Sequence, residues 1–159
     1  MYRTVEDFIQ DWSAATAGTN QVLEAMTDET LSQSIVEGHS SLGWLGWHLA
    51  NSPVSFASLV GVSVAPASDS QDVPTSAADI LNAYKQVGER VKSRVEETLT
   101  DEMMVEEVEA MGRKVPRGAL LRLLIDHQTH HRGQMTVLLR QAGLPVPGIM
   151  GPTQEAQNQ

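Results

Sequence analysis

Between Pro116 and Gln141 the apolar residues recur with the period of a helix, yet two positions on the inward stripe are histidines. The stripe runs Leu120, Leu124, His127, His131, Met135, Leu138 and Ala142, the spacing that turns one helical face toward a core. His127 and His131, four residues apart, therefore stand one turn above each other on that face. An imidazole buried without a partner costs about 1–3 kcal/mol, so each ring must be hydrogen-bonded or coordinated. A lone core histidine is usually satisfied by hydrogen bonding. Two at this spacing favour a bound cation, because neutral imidazole is the commonest nitrogen donor. The pair then needs a third ligand from elsewhere in the chain.

Three other segments share the helical period. Thr4, followed by Glu6 and Asp7, marks a helix start, and Val5, Phe8, Ile9, Trp12, Ala15, Thr19, Val22, Leu23 and Met26 define one face of a helix over 4–26. Thr27-Asp28-Glu29 reads as a turn, and the stretch to Ser40 as loop with a helical turn at Thr30 to Ser34. Ser40 or Ser41 caps a second helix, 41–60, whose stripe is Ser41, Leu45, His48, Ser52, Phe56 and Leu59. His48 again faces inward. Gly43 and Gly46 inside that helix cost about 1 kcal/mol each relative to alanine, which implies close packing or access to a site. Pro53 predicts a kink.

The loop from Gly61 to Ser76 is long enough to cross one end of a bundle, so the second and third helices can run parallel. The third helix, 77–99, carries Ile80, Tyr84, Val87, Val91, Val95 and Leu99 inward, with Lys85, Glu89, Arg90, Lys92, Arg94, Glu96 and Glu97 on a solvated face. Alternation around Val105, Val108 and Val115 permits a short hairpin turning at Gly112. Pro116 suits the first turn of the fourth helix, 116–141. Gly143 closes it, and an extended tail, 143–159, follows with frayed final residues. Four amphipathic helices, no strong strands and one long crossover describe an all-α four-helix bundle occupying 1–159 as a single domain.

Composition narrows the chemistry. The chain's 159 residues suffice for a core, and the absence of cysteine leaves only His, Asp and Glu to hold a metal. Any thiol must come from outside. Twenty acidic against 11 basic residues give a formal charge of −9, a field that repels phosphate backbones and anionic headgroups and argues against nucleic acid as a partner. The N-terminal sequence lacks a signal-peptide core, and no apolar run reaches spanning length, so no membrane partner and a cytoplasmic location are expected.

On facing helices, His48, His127 and His131 supply three imidazoles and leave coordination positions open, the pattern of a catalytic rather than a closed structural site. His130 also shares a face with His127, but His131 continues the Leu124 to Leu138 stripe more evenly. Two motifs are rejected. Gly38-His39-Ser40-Ser41-Leu42 has leucine where a nucleophile elbow needs glycine, which leaves His39 as a loop residue or cap. His127-Gln128 lacks the Glu of a His-Glu-x-x-His metalloprotease, which disfavours peptidase chemistry.

His127-x-x-x-His131-Arg132-Gly133-Gln134 on the last helix, Gly46-Trp47-His48-Leu49-Ala50 on the second, and Val146-Pro147-Gly148-Ile149-Met150-Gly151-Pro152 in the tail occur in an order that, across nearly the whole chain, resembles the DinB/YfiT-like family. The resemblance implies an up-down-down-up four-helix bundle, a homodimer, and one divalent metal (Zn, Ni, Fe or Mn) held by the histidines matching His48, His127 and His131. It also implies a small-molecule substrate and either thiol S-transfer, with a low-molecular-weight thiol such as mycothiol or bacillithiol, or metal-dependent hydrolysis. Thiol transfer ranks first on the resemblance alone. Arg132 and Gln134 serve helix packing or ligand support at least as readily as catalysis, and Asp126, Asn51 and Tyr84 are weaker candidates for orienting ligands. No general base is assigned. Trp12, Trp44 and Trp47 are packing residues that can contribute to a dimer contact. The alternatives are a non-catalytic metal-binding or interaction bundle and, ranked last, metal-free hydrogen-bonded histidines.

Overall fold

The computed structural model of the chain describes residues 1–157. Four long helices form a bundle: α1 (Val5–Glu24), α2 (Leu42–Leu59), α3 (Ala77–Thr98) and α5 (Arg117–Gln141). Each of the first three opens on a hydroxyl that satisfies a free backbone donor. Thr4 accepts from the Asp7 N–H at 3.2 Å, Ser41 from Trp44 at 3.2 Å and Ser76 from Asp79 at 3.3 Å. α5 ends on Gly143, at φ +74°, with Gly143 N–H bonded to Arg140 O and Leu144 N–H to Leu139 O.

Hydrogen bonds between the ends fix the course of the chain. Tyr2 N–H donates to Gly118 O at 3.1 Å, so α1 and α5 start at the same end. The Arg117 guanidinium donates to Val60 O at 3.1 Å, placing the end of α2 there as well. Ala77 N–H meets Asp28 Oδ1 at 2.7 Å, so α3 starts at the opposite end. The result is up-down-down-up, with α3 and α5 each packed against both α1 and α2. The crossover is held by arginines expected on a solvated face: Arg90 donates to Ala65 O and Pro66 O, and Arg94 to Ser63 O.

Several local expectations change. A short helix, α4 (Asp101–Val105), precedes the hairpin and takes Val105 out of it. The hairpin pairs β1 (Glu107–Ala110) with β2 (Arg113–Pro116), Val108 opposite Val115, through Met111 and Gly112, both at positive φ. Pro116 ends β2 and precedes α5 rather than lying in its first turn, because its ψ of 140° is extended. The helical turn after α1 falls at Asp28–Thr30, not Thr30 to Ser34, since the Thr27 N–H bonds Thr30 Oγ1 at 3.2 Å and fixes the turn earlier. The tail is not wholly extended. It contains α6 (Gln154–Gln157), docked on α5 by Arg140 against Glu155 at 2.7 Å. The expected fraying falls on residues 158–159, outside the described residues. α2 runs on through Pro53. No described helix is long and apolar enough to cross a membrane.

The core is divided along the bundle axis. Phe8, Trp12, Val91, Val95, Met104, Leu120 and Leu124 pack together toward the hairpin end, and Leu23, Leu45, Trp47, Ile80, Met135 and Leu138 toward the other. On α1, α2 and α5 the stretch between the two clusters holds polar residues instead. Thr19, Ser52, Gln128 and Arg132, the buried polar side chains among the described residues, all lie in that middle layer.

Candidate metal centre

His48 projects from α2 and His127 and His131 from α5 into this layer. The Nε2 atoms of His48 and His127 are 3.0 Å apart and those of His131 and His127 3.1 Å. One ligand atom from each of the three lies within 4.8 Å of the others. The i, i+4 spacing on α5 sets two of the rings, and α2 packing against α5 delivers the third. Flat neighbours fix the ring planes: Trp44, one turn before His48, stacks on it at 4.9 Å and 7°, and Phe56 lies 5.3 Å from His127. The Gln134 carbonyl oxygen is 2.7 Å from His131 Nδ1. An amide oxygen only accepts, so Nδ1 carries the proton and Nε2 presents its lone pair.

Burial, reinforced by His131, His48 and His130, pushes His127 down to about 4. Burial and then His131 also lower His48. Both rings are thus neutral at neutral pH, the form that binds a cation. Among the described residues no carboxylate joins the cluster. An ion roughly 2.0–2.1 Å from each nitrogen suits donors spaced in this way, with positions left over for another ligand.

The remaining candidates separate clearly. His130 is exposed and only meets the edge of His131, at 4.8 Å, so the structure assembles His131 and not His130 with the other two. His39 lies on an exposed loop beside Glu37 O. Asp126 pairs with Arg122 at 2.8 Å on the surface, and Asn51 donates to Trp47 O within α2. Gln128 and Tyr84 bond each other at 2.8 Å in the interior. Arg132, 6% exposed, donates to Ala15 O at 2.9 Å and Thr19 Oγ1 at 3.3 Å, which joins α5 to α1.

Trp12 and Trp47 are 1% and 6% exposed, and Trp12 donates to Gly88 O, so of the three tryptophans only Trp44, 43% exposed, has a free face for a partner. Gly46 is a packing position: a Cβ there would stand 2.9 Å from Ile80 Cγ2. The aromatic walls Trp44 and Phe56 were not singled out from sequence as site residues, although Trp44 sits one turn from His48.

A four-helix bundle with three convergent imidazoles, able to hold a divalent cation, is the class that fold and site define. The sequence profile of the DinB family matches residues 1–159, and the chain belongs to that family. It is 37% identical over 155 residues to YrdA of Bacillus subtilis strain 168, covering 98% of this chain and 93% of YrdA. The crystal structure of a DinB-like protein from Bacillus cereus ATCC 10987 superposes with a TM-score of 0.88 at 40% identity, over 93% of this chain and 99% of that one. YfiT from Bacillus subtilis, described as a probable metal-dependent hydrolase with an unusual four-helix bundle topology, superposes with a TM-score of 0.66 at 22% identity, over 89% of each chain. That last likeness is one of fold.

Proposed function

We propose that the protein is a metalloenzyme in which His48, His127 and His131 hold one divalent ion and a small-molecule substrate reacts with an activated water or thiol. The observation that carries this reading is the convergence of three imidazole nitrogens from two helices, with no carboxylate among the described residues to close the set. A bound ion supplies Lewis acidity, which lowers the pKa of a water or thiol and yields a nucleophile near neutral pH. Zinc, nickel, iron and manganese all accept such a donor set.

Two nucleophiles are compatible with the site. Hydrolysis draws support from the description of YfiT. Transfer of a low-molecular-weight thiol draws support from the lack of a carboxylate base beside the three rings among the described residues: a thiol ionises at about pH 8.5, far more readily than water, so a thiol asks far less of the site. With no cysteine in the chain the thiol is a separate molecule. A homodimer, on the family resemblance, and a cytoplasmic location complete the reading.

Elemental analysis of untagged wild type, His48→Ala and His131→Ala is the test. Near one divalent ion per chain, lost in both variants, is expected; a wild type without metal after reconstitution overturns the proposal. Metal-loaded protein is then offered electrophiles with and without small thiols, beside ester and amide substrates. Turnover without thiol excludes the transferase version. Stoichiometric metal with no turnover on any of these substrates would favour the non-catalytic alternative, an ion bracing α2 to α5.

A further inference from the structure

Pro53 sits in the middle of α2 and has no N–H, so the carbonyl of Leu49, four residues earlier, loses its helical hydrogen bond. A buried carbonyl needs a donor. The donor comes from another helix: Gln128 Nε2 lies 3.5 Å from Leu49 O. Gln128 is 0% exposed, and its own carbonyl oxygen accepts from the Tyr84 hydroxyl of α3 at 2.8 Å. Burial pushes the Tyr84 phenol up, which keeps it protonated and able to donate. The amide is therefore oriented at one end by α3 and spent at the other on α2.

Leu49 follows His48 by one residue, and Gln128 follows His127 by one. The bond ties the two helices at the level where each presents an imidazole. It also accounts for glutamine where a metalloprotease helix has glutamate: a carboxylate cannot donate, and its charge would face the Leu49 oxygen. We infer that Gln128, oriented by Tyr84, is a positioning residue for the metal, setting the height of His48 on α2 against His127 on α5. This role rests on the metal reading proposed above.

The test separates positioning from simple satisfaction of a buried carbonyl. Zinc affinity is measured by competition with a chromophoric chelator, and thermal midpoints are taken on chelator-treated protein, for wild type, Gln128→Met, Pro53→Ala and the double variant. Gln128→Met is expected to lower the midpoint and to weaken zinc binding by roughly 10–100-fold, the usual range for a residue supporting a ligand. Adding Pro53→Ala returns a helical N–H to Leu49 O, so the midpoint recovers while zinc binding stays weak. Unchanged affinity in Gln128→Met, or affinity that recovers with the midpoint, overturns the positioning role and leaves the metal site standing. A wild type that binds no zinc overturns both. If Gln128→Met does not fold, Tyr84→Phe replaces it: weaker zinc binding is expected, and unchanged binding overturns the role.

Discussion

The Nε2 atoms of His48 and His127 lie 3.0 Å apart although 79 positions separate the two residues in the chain. With His131 at 3.1 Å from His127, one nitrogen with a single proton or lone pair faces two others, and a cation held there as proposed would take the place of both contacts. Binding to the folded state alone then raises stability. Metal at a hundredfold excess over its Kd should raise the thermal midpoint by roughly 5–10 °C, from about 2.7 kcal/mol of linkage and 2–4 °C per kcal/mol. Scanning calorimetry with metal, with chelator and on His48→Ala checks this; a shift that survives in His48→Ala would place the metal elsewhere.

Gln134 accepts from His131 Nδ1 at 2.7 Å and so selects the tautomer that aims Nε2 at the centre. Gln134→Ala removes the acceptor and is expected to weaken metal binding by roughly 10-fold. Gln134→Glu retains an acceptor and should bind at least as tightly as wild type. Chelator competition on the three proteins decides, and equal affinities would leave Gln134 without this role.

His130 and His131 are neighbours in sequence with opposite expectations. His130 is exposed and outside the cluster, so His130→Ala keeps full metal content, whereas His131→Ala loses it. Metal-to-protein ratios after gel filtration read the difference. Loss of metal in His130→Ala would reverse the assignment.

Two helical glycines should respond in opposite directions to alanine. At Gly46 the new Cβ would lie 2.9 Å from Ile80 Cγ2 and 3.1 Å from Leu23 Cδ2, and the overpacking, about 1–3 kcal/mol, outweighs the gain in helix propensity of about 1 kcal/mol. At Gly133 nothing lies within 4 Å, so Gly133→Ala should stabilise the chain by up to about 1 kcal/mol. Denaturant unfolding compares them. Destabilisation by Gly133→Ala would reveal a second chain packed against that turn, which sedimentation of the same variant would show.

The helices were legible because their signals are local. The stripes on α1 and α3, the caps Thr4 and Ser41, and the terminating Gly143 follow from period, side-chain reach and backbone freedom within a few residues. His127 and His131 were legible for the same reason, since four residues on a helix set one face. Choosing His48 as their third partner needed the four-helix-bundle reading as well, because local pattern shows only that it faces inward; the family resemblance then matched the same three histidines.

Tertiary structure decided what depends on distant parts of the chain meeting. The approach of α2 to α5 brings His48 to the pair and stacks Trp44 behind it. The loss of one hydrogen bond at Pro53 is visible in the sequence, but its replacement by Gln128 is not, because the donor and the Leu49 carbonyl are 79 positions apart. Arg132 reads as a charged motif residue; only the fold shows it buried, with its guanidinium on Ala15 and Thr19 of α1. Periodicity fixes which way a side chain faces on its own helix, whereas its partner depends on how helices are offset along the bundle, and that offset is set by the packing of the whole core.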